Sequence, residues 1–411
     1  MILFYVNLAF IGFAVISILY YLINSYHSIH YKQPAGTNPV DPAGVTALIP
    51  VYNEDPQIFA RVVGAVKNQG IKFVVVGDSS FDPYRKITEE NGGKFIYLPK
   101  HGGKRKAVSE GIREISTEYV MLVDSDTVIP ANTVRSMLSK FDTDVGGIGA
   151  NLSVSRNNNW ISYSAEFVER SREVLFRALS SHGSVMLLDG ACVMYRTGLV
   201  KPFILSEQYT DHRVFGKKSQ LGDDRQLTGF IIRSNYKAIK DYDVSVEVTA
   251  PNSLGKLVRQ NIRWARSNWV NFFRELFNGT ARKAGRFYTF DLLYTYMLPI
   301  IFVGIGLAQV YLFFHIDSRF LLDHFTSTTG AISFNFLLRN MTGVREVFFL
   351  RILLTFVNYL STAVFTVAIA FRIDKERLKT LAYGSIAMIV MLSTTLYGLL
   401  TIWKQNGWMT R

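Results

Sequence analysis

The chain has 411 residues, 49% of them hydrophobic and 14% aromatic, with 45 Lys and Arg against 32 Asp and Glu and a formal net charge of +13. That length holds a soluble domain of ordinary size plus several membrane spans, and a basic excess beside long apolar runs points to a membrane face rather than to nucleic acid, for which no binding motif is present. The single cysteine, Cys192, excludes an internal disulfide and a Cys-rich zinc site, and the seven histidines show no HExxH-type metal spacing.

The opening run MILFYVNLAFIGFAVISILYYLI carries no charge over about 23 residues, enough to span a bilayer. It lacks the basic start and cleavage pattern of a signal peptide, so residues 1–25 read as an uncleaved transmembrane anchor. Residues 26–44, rich in Pro and Gly, read as a linker. Over 45–252, apolar runs alternate with helical stretches. VTALIPV, KFVVVGD, KFIYLP and EYVMLVDSD predict buried parallel strands, with RKAVSEGIREI and ANTVRSMLSKF as helices between strands. This alternation predicts a doubly wound α/β domain, in which ligands sit at the carboxyl ends of the strands. Residues 253–286 are basic, aromatic and helical in period, which predicts amphipathic helices along a membrane surface. Residues 287–411 predict a transmembrane region of about three spans, at 288–316, 347–371 and 381–403. The loop RIDKERLK at 372–379 carries four Lys or Arg and is expected in the cytoplasm, with the α/β domain on the same side.

The acidic motifs fall at the predicted strand ends. In MLVDSDTVI, Asp124 and Asp126 stand two apart and so point the same way in an extended chain. Two carboxylates on one side suit a hard divalent cation bridging phosphate oxygens, although a DxD alone also describes two solvated aspartates. Asp78, ending VVVGD, can accept from a nucleobase edge or a ribose hydroxyl, or cap the next helix. In LIPVYNED, Tyr52 can stack on a base and Glu54 can bind a nucleotide. HGGKRKA supplies Lys104 and Arg105 after two glycines that let backbone approach a ligand. It is not a Walker A motif, because Leu98 stands at the first glycine position and Arg105 replaces Ser or Thr.

In QLGDDRQLT, Asp223, Asp224 and Arg225 open a helix, where the dipole favours acids. Asp224 beside an arginine is expected to stay ionised near neutral pH and to accept a proton from an attacking hydroxyl. In LVRQNIRWARSNW, Gln260, Arg263 and Trp264 share one helical face. Arg263 can grip a diphosphate through its planar fork and offset charge on a leaving nucleotide. Gln260 can bond phosphate or hydroxyl, and Trp264 offers a flat face for a sugar ring. Arg259, Arg266 and Trp269 suit lipid headgroups.

Taken in order, PVYNE, GDSS, GGKRKA, DSD, DGACVMYR, GDDRQLT and QNIRW resemble the motifs of membrane-embedded family 2 glycosyltransferases. The pattern is similar to that of hyaluronan, chitin and bacterial chitooligosaccharide synthases, with cellulose synthases more distant. The resemblance implies a GT-A-like cytoplasmic domain that uses a UDP-sugar with Mg2+ or Mn2+. It also implies a direct inverting displacement onto a growing β-linked glycan, with export through the membrane region. Residue by residue, it implies Tyr52, Glu54, Asp78 and Lys104 near the uridine, and Asp124 and Asp126 serving UDP and the metal. Asp224 would be the general base, Arg263 would hold the pyrophosphate with Gln260 nearby, and Trp264 would underlie the acceptor. Asp189 and Gly190 would border that acceptor.

UDP-GlcNAc and UDP-glucose lead as donors on the resemblance. Asp189, Gly190 and Ala191 stand where Ser-Gly-Pro is common in hyaluronan and chitooligosaccharide synthases, which implies a different acceptor or sugar preference. The terminal NGWMTR is similar to a Trp-Gly-Thr-Arg motif that nears the active site from the cytoplasm, with Met409 in place of Gly. One early and three later crossings would instead put Arg411 outside, unless AISFNFLLRN adds a segment. So few spans also suit an oligomer or a membrane-lipid acceptor taking a single sugar. A transporter or scaffold keeping an inactive transferase fold is the alternative from another class.

Overall fold

A computed structural model describes residues 2–155, 157–312 and 345–405. The first helix, α1 (Ile2–His30), continues beyond residue 25 without a break. A 3-10 turn at Pro42–Gly44, capped by the Asp41 carboxylate, delivers the chain to β1 (Val45–Val51). There follow α2 (Pro56–Lys67), β2 (Lys72–Asp78), α3 (Tyr84–Glu90), β3 (Lys94–Leu98), α4 (Lys104–Arg113), β4 (Tyr119–Val123), α5 (Thr133–Ser139) and β5 (Val145–Val154). The long helix α6 (Trp160–Ser180) precedes β6 (Cys192–Arg196), α7 (Thr197–Ile204), α8 (Glu207–Thr210) and the hairpin β7 (Arg213–Val214) and β8 (Lys217–Lys218). The α/β unit closes with α9 (Asp223–Arg233) and β9 (Lys237–Val248).

Seven strands form one mixed sheet in the order β3-β2-β1-β4-β6-β5-β9. The four strands read from the sequence are β1 to β4, and they pair in parallel. Alternate residues serve opposite faces, as the two-residue strand period requires. Leu48, Val74, Val76 and Leu122 pack with α4 and α9, while Ala47, Ile49, Val75 and Val123 pack with α2 and α5. A further strand, β6, runs antiparallel to both β4 and β5, with Val123 opposite Cys192. Its reversed direction brings the start of β6, not its end, to the rim where β1 to β4 finish. Cys192 is fully buried in that strand, and burial pushes its thiol up to about 12, as an inert core residue.

Beyond the sheet lie α10 (Leu254–Phe277), α11 (Thr280–Ala284), α12 (Arg286–Leu312), α13 (Arg345–Ala370) and α14 (Lys379–Leu400). The stretches Leu8–His30, Arg286–Ala308 and Lys379–Leu400 are long and apolar enough to cross a membrane, and Phe356–Ala370 is a shorter apolar helix. α1 packs beside α12, with the rings of Tyr20 and Tyr294 stacked 3.7 Å apart, and Arg372 just after α13 donates to the Ser28 carbonyl at 3.1 Å.

α14 is held near both its ends, by α6 at its start and by α10 toward its finish. Before its start, Arg377 pairs with Glu166 of α6 and donates to Ser162 Oγ at 3.1 Å. Toward its end, Trp269 of α10 donates to the Thr395 carbonyl at 2.9 Å, and Arg266 donates to Thr401 Oγ1 at 3.0 Å. Gln405 then reaches Ser219, just after the β7–β8 hairpin. Arg266 and Trp269, read as candidates for lipid headgroups, are instead buried in this helix contact. Residues 313–316, AISFNFLLRN and NGWMTR lie outside the described residues.

Candidate active site

The rim is built from loops that leave neighbouring strands. After β1 and β2 the backbone is strained, with φ of 47° at Asn53 and 54° at Ser79, and Ser80 Oγ accepts from the Asn53 N–H at 3.1 Å. Such left-handed residues persist where surrounding contacts over-determine them. Tyr52 and Glu54 follow β1. Tyr52 is partly exposed, with its ring 4.1 Å from that of His101, and Glu54 accepts from Ser125 Oγ at 3.2 Å. Glu54 is thereby tied to the DSD loop through the serine between the two aspartates.

Asp78, at the end of β2, is buried and already committed. Its Oδ1 accepts the Gly102 N–H at 2.7 Å, its Oδ2 accepts the Gly103 N–H at 2.8 Å, and His101 Nδ1 lies 2.9 Å from Oδ2. Its observed work is to fold the HGG loop and so aim Lys104, which opens α4. Lys104 Nζ then pairs with Asp124 Oδ1 at 2.6 Å. Burial opposes the charge on Lys104, yet Asp124, Asp224 and Asp223 outweigh it and hold its pKa well above the ordinary lysine value. Arg105 turns the other way and is buried, donating to Gln226 Oε1 and to the Leu221 carbonyl.

Asp124 is half-buried and Asp126 is exposed at the open side of the turn after β4. The Asp124 N–H donates to the Ala191 carbonyl at 3.1 Å, which fixes the start of β6 beside the DSD loop. Asp189 and Gly190 therefore stand at this same rim. The Asp189 carboxylate is held by Arg172 of α6 and Lys240 of β9. Burial alone would raise its pKa, but those two cations bring it down to about 2, so it is a fixed anion. Gly190 is pressed against Asp224, and a Cβ there would overlap the Asp224 carboxylate.

Asp224 sits in the first turn of α9. Gly222, just before it, has φ of 70°, and a Cβ there would strike Ser267 of α10. That close approach seats the acidic end of α9 on the helix carrying Arg263. Arg225 does not serve Asp224 as expected. Adjacent residues on a helix diverge by about 100°, and Arg225 points away to a buried bidentate pair with Glu275, at 2.6 and 2.8 Å. The expectation of an ionised Asp224 near neutral pH is corrected accordingly. Burial first, then Asp223, pushes its carboxyl up to about 8, with Lys104 opposing the rise.

Arg263 of α10 completes the cluster. Burial lowers its pKa, and the charges of Asp223, Asp224 and Asp124 counter that fall, which puts its guanidinium within electrostatic reach of all three. Trp264, on the same helix, is 39% exposed and Gln260 is half-buried. The structure thus brings together Lys104, Asp124, Asp224, Arg263, Asp189 and Gly190. Asp223, His101, Arg172 and Lys240 join them and had not been given roles. Asp223 was visible as the neighbouring acid in GDDR. The pairing of Arg172 and Lys240 with Asp189 spans α6, β9 and the β6 approach and leaves no local sequence signal. Among the described residues no cluster of three or more His, Cys, Asp or Glu could hold a metal ion. Two hard carboxylates at 124 and 126 nevertheless fit a cation such as Mg2+ or Mn2+, which takes its remaining ligands from water and phosphate.

Residues 42–267 match the family described as glycosyltransferase like family 2. An N-acetylglucosaminyltransferase of Sinorhizobium fredii is 28% identical over 326 residues, covering 72% of this chain and 76% of that protein. One from Mesorhizobium japonicum is 29% identical over 287 residues, covering 64% of this chain and 66% of the other. Among solved structures, a mannosyltransferase from Pyrobaculum calidifontis in complex with GDP-Man and Mn2+ shares the fold, with a TM-score of 0.63 at 14% identity over 98% of this chain and 100% of that one.

Proposed function

Because the chain belongs to the family 2-like glycosyltransferases and is a hexosyltransferase, we propose that it transfers a sugar from a UDP-sugar, with inversion, onto a growing β-linked glycan at a membrane. The observation that carries this reading is the convergence of Lys104, Asp124, Asp224 and Arg263 on one rim.

In this reading Tyr52 and the Asp78-braced loop receive the nucleoside, with Glu54 beside them. Asp124 and Asp126 would hold the divalent cation, which supplies positive charge to the diphosphate. The acceptor sugar lies on Trp264 with its hydroxyl toward Asp224, and Gly190 leaves room there that a side chain would fill. Asp224 in its ionised form takes the hydroxyl proton. The freed oxygen attacks the anomeric carbon from the face opposite the diphosphate, and the bond to the diphosphate oxygen breaks with its electron pair. Arg263 and Lys104 balance the charge on that leaving group, and Gln260 supplies a neutral hydrogen bond. No covalent sugar–enzyme bond is needed. The fixed anion of Asp189, backed by Arg172 and Lys240, keeps the acceptor side rigid.

The membrane reading favours α1, α12 and α13 as crossings, with the α/β unit in the cytoplasm. Support comes from the contacts of α14 with α6 at its start and with α10 toward its end, which suit a helix lying in the interface. Gln405 then lies on the catalytic side, as the similarity of NGWMTR to a motif nearing the active site requires. The names of the curated relatives favour UDP-GlcNAc as donor, with UDP-glucose next.

The test is a donor panel with purified protein in detergent or lipid, followed by mass analysis of the products. A ladder of β-linked sugars supports glycan elongation, and a single sugar on a lipid supports the non-processive reading. Release of UDP from no donor at all would leave an inactive scaffold.

A further inference from the structure

A cleft of about 530 Å³ lies between α9, the β7–β8 hairpin and the C-terminal half of α10. Its wall runs along α9 from Arg225, just after Asp224, to Arg233 in the last turn, so Arg233 stands about 14 Å along that helix from Asp224. The buried Arg225–Glu275 pair forms part of that wall.

The charges lining this cleft do not balance. Glu275 is spent on Arg225 and also accepts from Tyr288 Oη at 3.0 Å. Asp211 is paired with Arg213 at 2.7 Å. Arg233 and Arg274 remain, and among the described residues neither has a carboxylate partner. Arg233 Nη1 donates to Thr280 Oγ1 at 2.9 Å, a neutral acceptor. Arg274 Nη1 donates to the His212 ring, 3.0 Å from Nε2, and its Nη2 donates to the Arg213 carbonyl at 3.3 Å. Each guanidinium has five N–H groups, so both keep donors to spare.

Burial lowers the pKa of both arginines; the Glu275 charge partly opposes the fall for Arg233, and the charges of Arg105 and Arg233 add to it for Arg274. His212 is no counter-charge, because burial and then Arg105 and Arg274 push it down to about 3 and leave it neutral. A cation in the last turn of a helix is favoured by the dipole, and both arginines occupy such positions. That effect suits exposed side chains at a helix end. It does not account for two half-buried guanidiniums facing one cleft and repelling each other.

We propose that this cleft is a binding site for a phosphate-bearing anion, held between Arg233 and Arg274. Planar forks with free donors match phosphoryl oxygens, and an anion between them removes their mutual repulsion. The volume exceeds that of a bare phosphate, which leaves room for an organic body. Phe277, three residues beyond Arg274, is 85% exposed, and α12, a candidate membrane span, begins soon after at Arg286. A phospholipid headgroup and a free phosphate ester are thus both possible sources of the same chemistry. The site does not depend on the roles proposed for Asp224 or Arg263.

The test uses the full chain. In neutral detergent, inorganic phosphate is titrated against chloride at constant ionic strength by calorimetry. In nanodiscs, phosphatidylcholine alone is compared with phosphatidylcholine plus phosphatidylglycerol, and retained lipid is counted by native mass spectrometry. Saturable phosphate binding, or selective retention of phosphatidylglycerol, is expected in the wild type, weakened at least tenfold by Arg233→Gln with Arg274→Gln. Asp211→Asn keeps or strengthens it. Phosphate binding without lipid retention identifies a soluble ester, and lipid retention identifies a headgroup. If the double variant does not fold, Arg233→Gln alone gives the same comparison. Absence of binding in both arms, or binding undiminished in a folded variant, overturns the proposal.

Discussion

The sharpest prediction concerns Asp223, the acid that neighbours the proposed base. Asp224 is pushed up to about 8, with burial the largest cause and the Asp223 charge the next. A carboxyl with that pKa is roughly one-tenth ionised at pH 7, since each pH unit changes the ratio tenfold. If the ionised form is the base, kcat/KM of the free enzyme rises about tenfold per unit below pH 8 and then levels off. Asp223→Asn removes the like charge without altering shape. The rising limb then moves to lower pH, and activity at pH 6.5 exceeds that of the wild type. Asp224→Asn removes the base itself and lowers kcat by about 10²–10⁴ on the plateau above pH 8, a deficit that shrinks at lower pH where the wild-type base is itself protonated. The assay is UDP release at saturating metal from pH 5.5 to 9.5, with circular dichroism to check folding. A limb that stays in place in Asp223→Asn, or a wild-type plateau already reached by pH 5.5, refutes the reasoning.

Three further outcomes follow from the same geometry. Arg263→Lys keeps the charge but loses the fork, and kcat should fall about 10–100-fold with a stable fold, as measured by steady-state kinetics and a thermal melt. Gly190→Ala places a methyl on the Asp224 carboxylate; it should cost about 1–3 kcal/mol in stability and depress turnover, seen by differential scanning and UDP release, whereas an unchanged melt and rate would mean that the rim yields freely. Chelation should abolish transfer, and Mn2+ or Mg2+ should restore it in the wild type but not in Asp126→Asn; full activity in chelator would remove the metal from the account.

Much of the α/β unit was legible because buried parallel strands announce themselves as short apolar runs. VTALIPV, KFVVVGD, KFIYL and EYVMLV needed no tertiary information to be placed, and the acids after them fell at the rim for the same reason. The direction of β6 was not legible, because an apolar strand reads alike in either sense. Without it, the approach of Gly190 to Asp224 could not be derived. Arg225 misled because sequence neighbours on a helix point apart, and its partner Glu275 lies on another helix. Asp78 accepts two backbone N–H groups of its own rim, a bracing of the HGG loop that has no local sequence signal. For α14, apolar length reads as a span, and the helix is long and apolar enough to cross a membrane; its contacts with α6 and α10 had no local sequence signal.

The central claim is that one diphosphate is gripped from opposite sides by the DSD loop and by Arg263. A structure of the protein bound to UDP and Mn2+ in a lipid nanodisc tests it most directly. The account predicts the diphosphate between the carboxylates of Asp124 and Asp126 and the Arg263 guanidinium, with Lys104 drawn toward it. UDP seated elsewhere, or Arg263 turned to lipid while UDP occupies the rim, would contradict it.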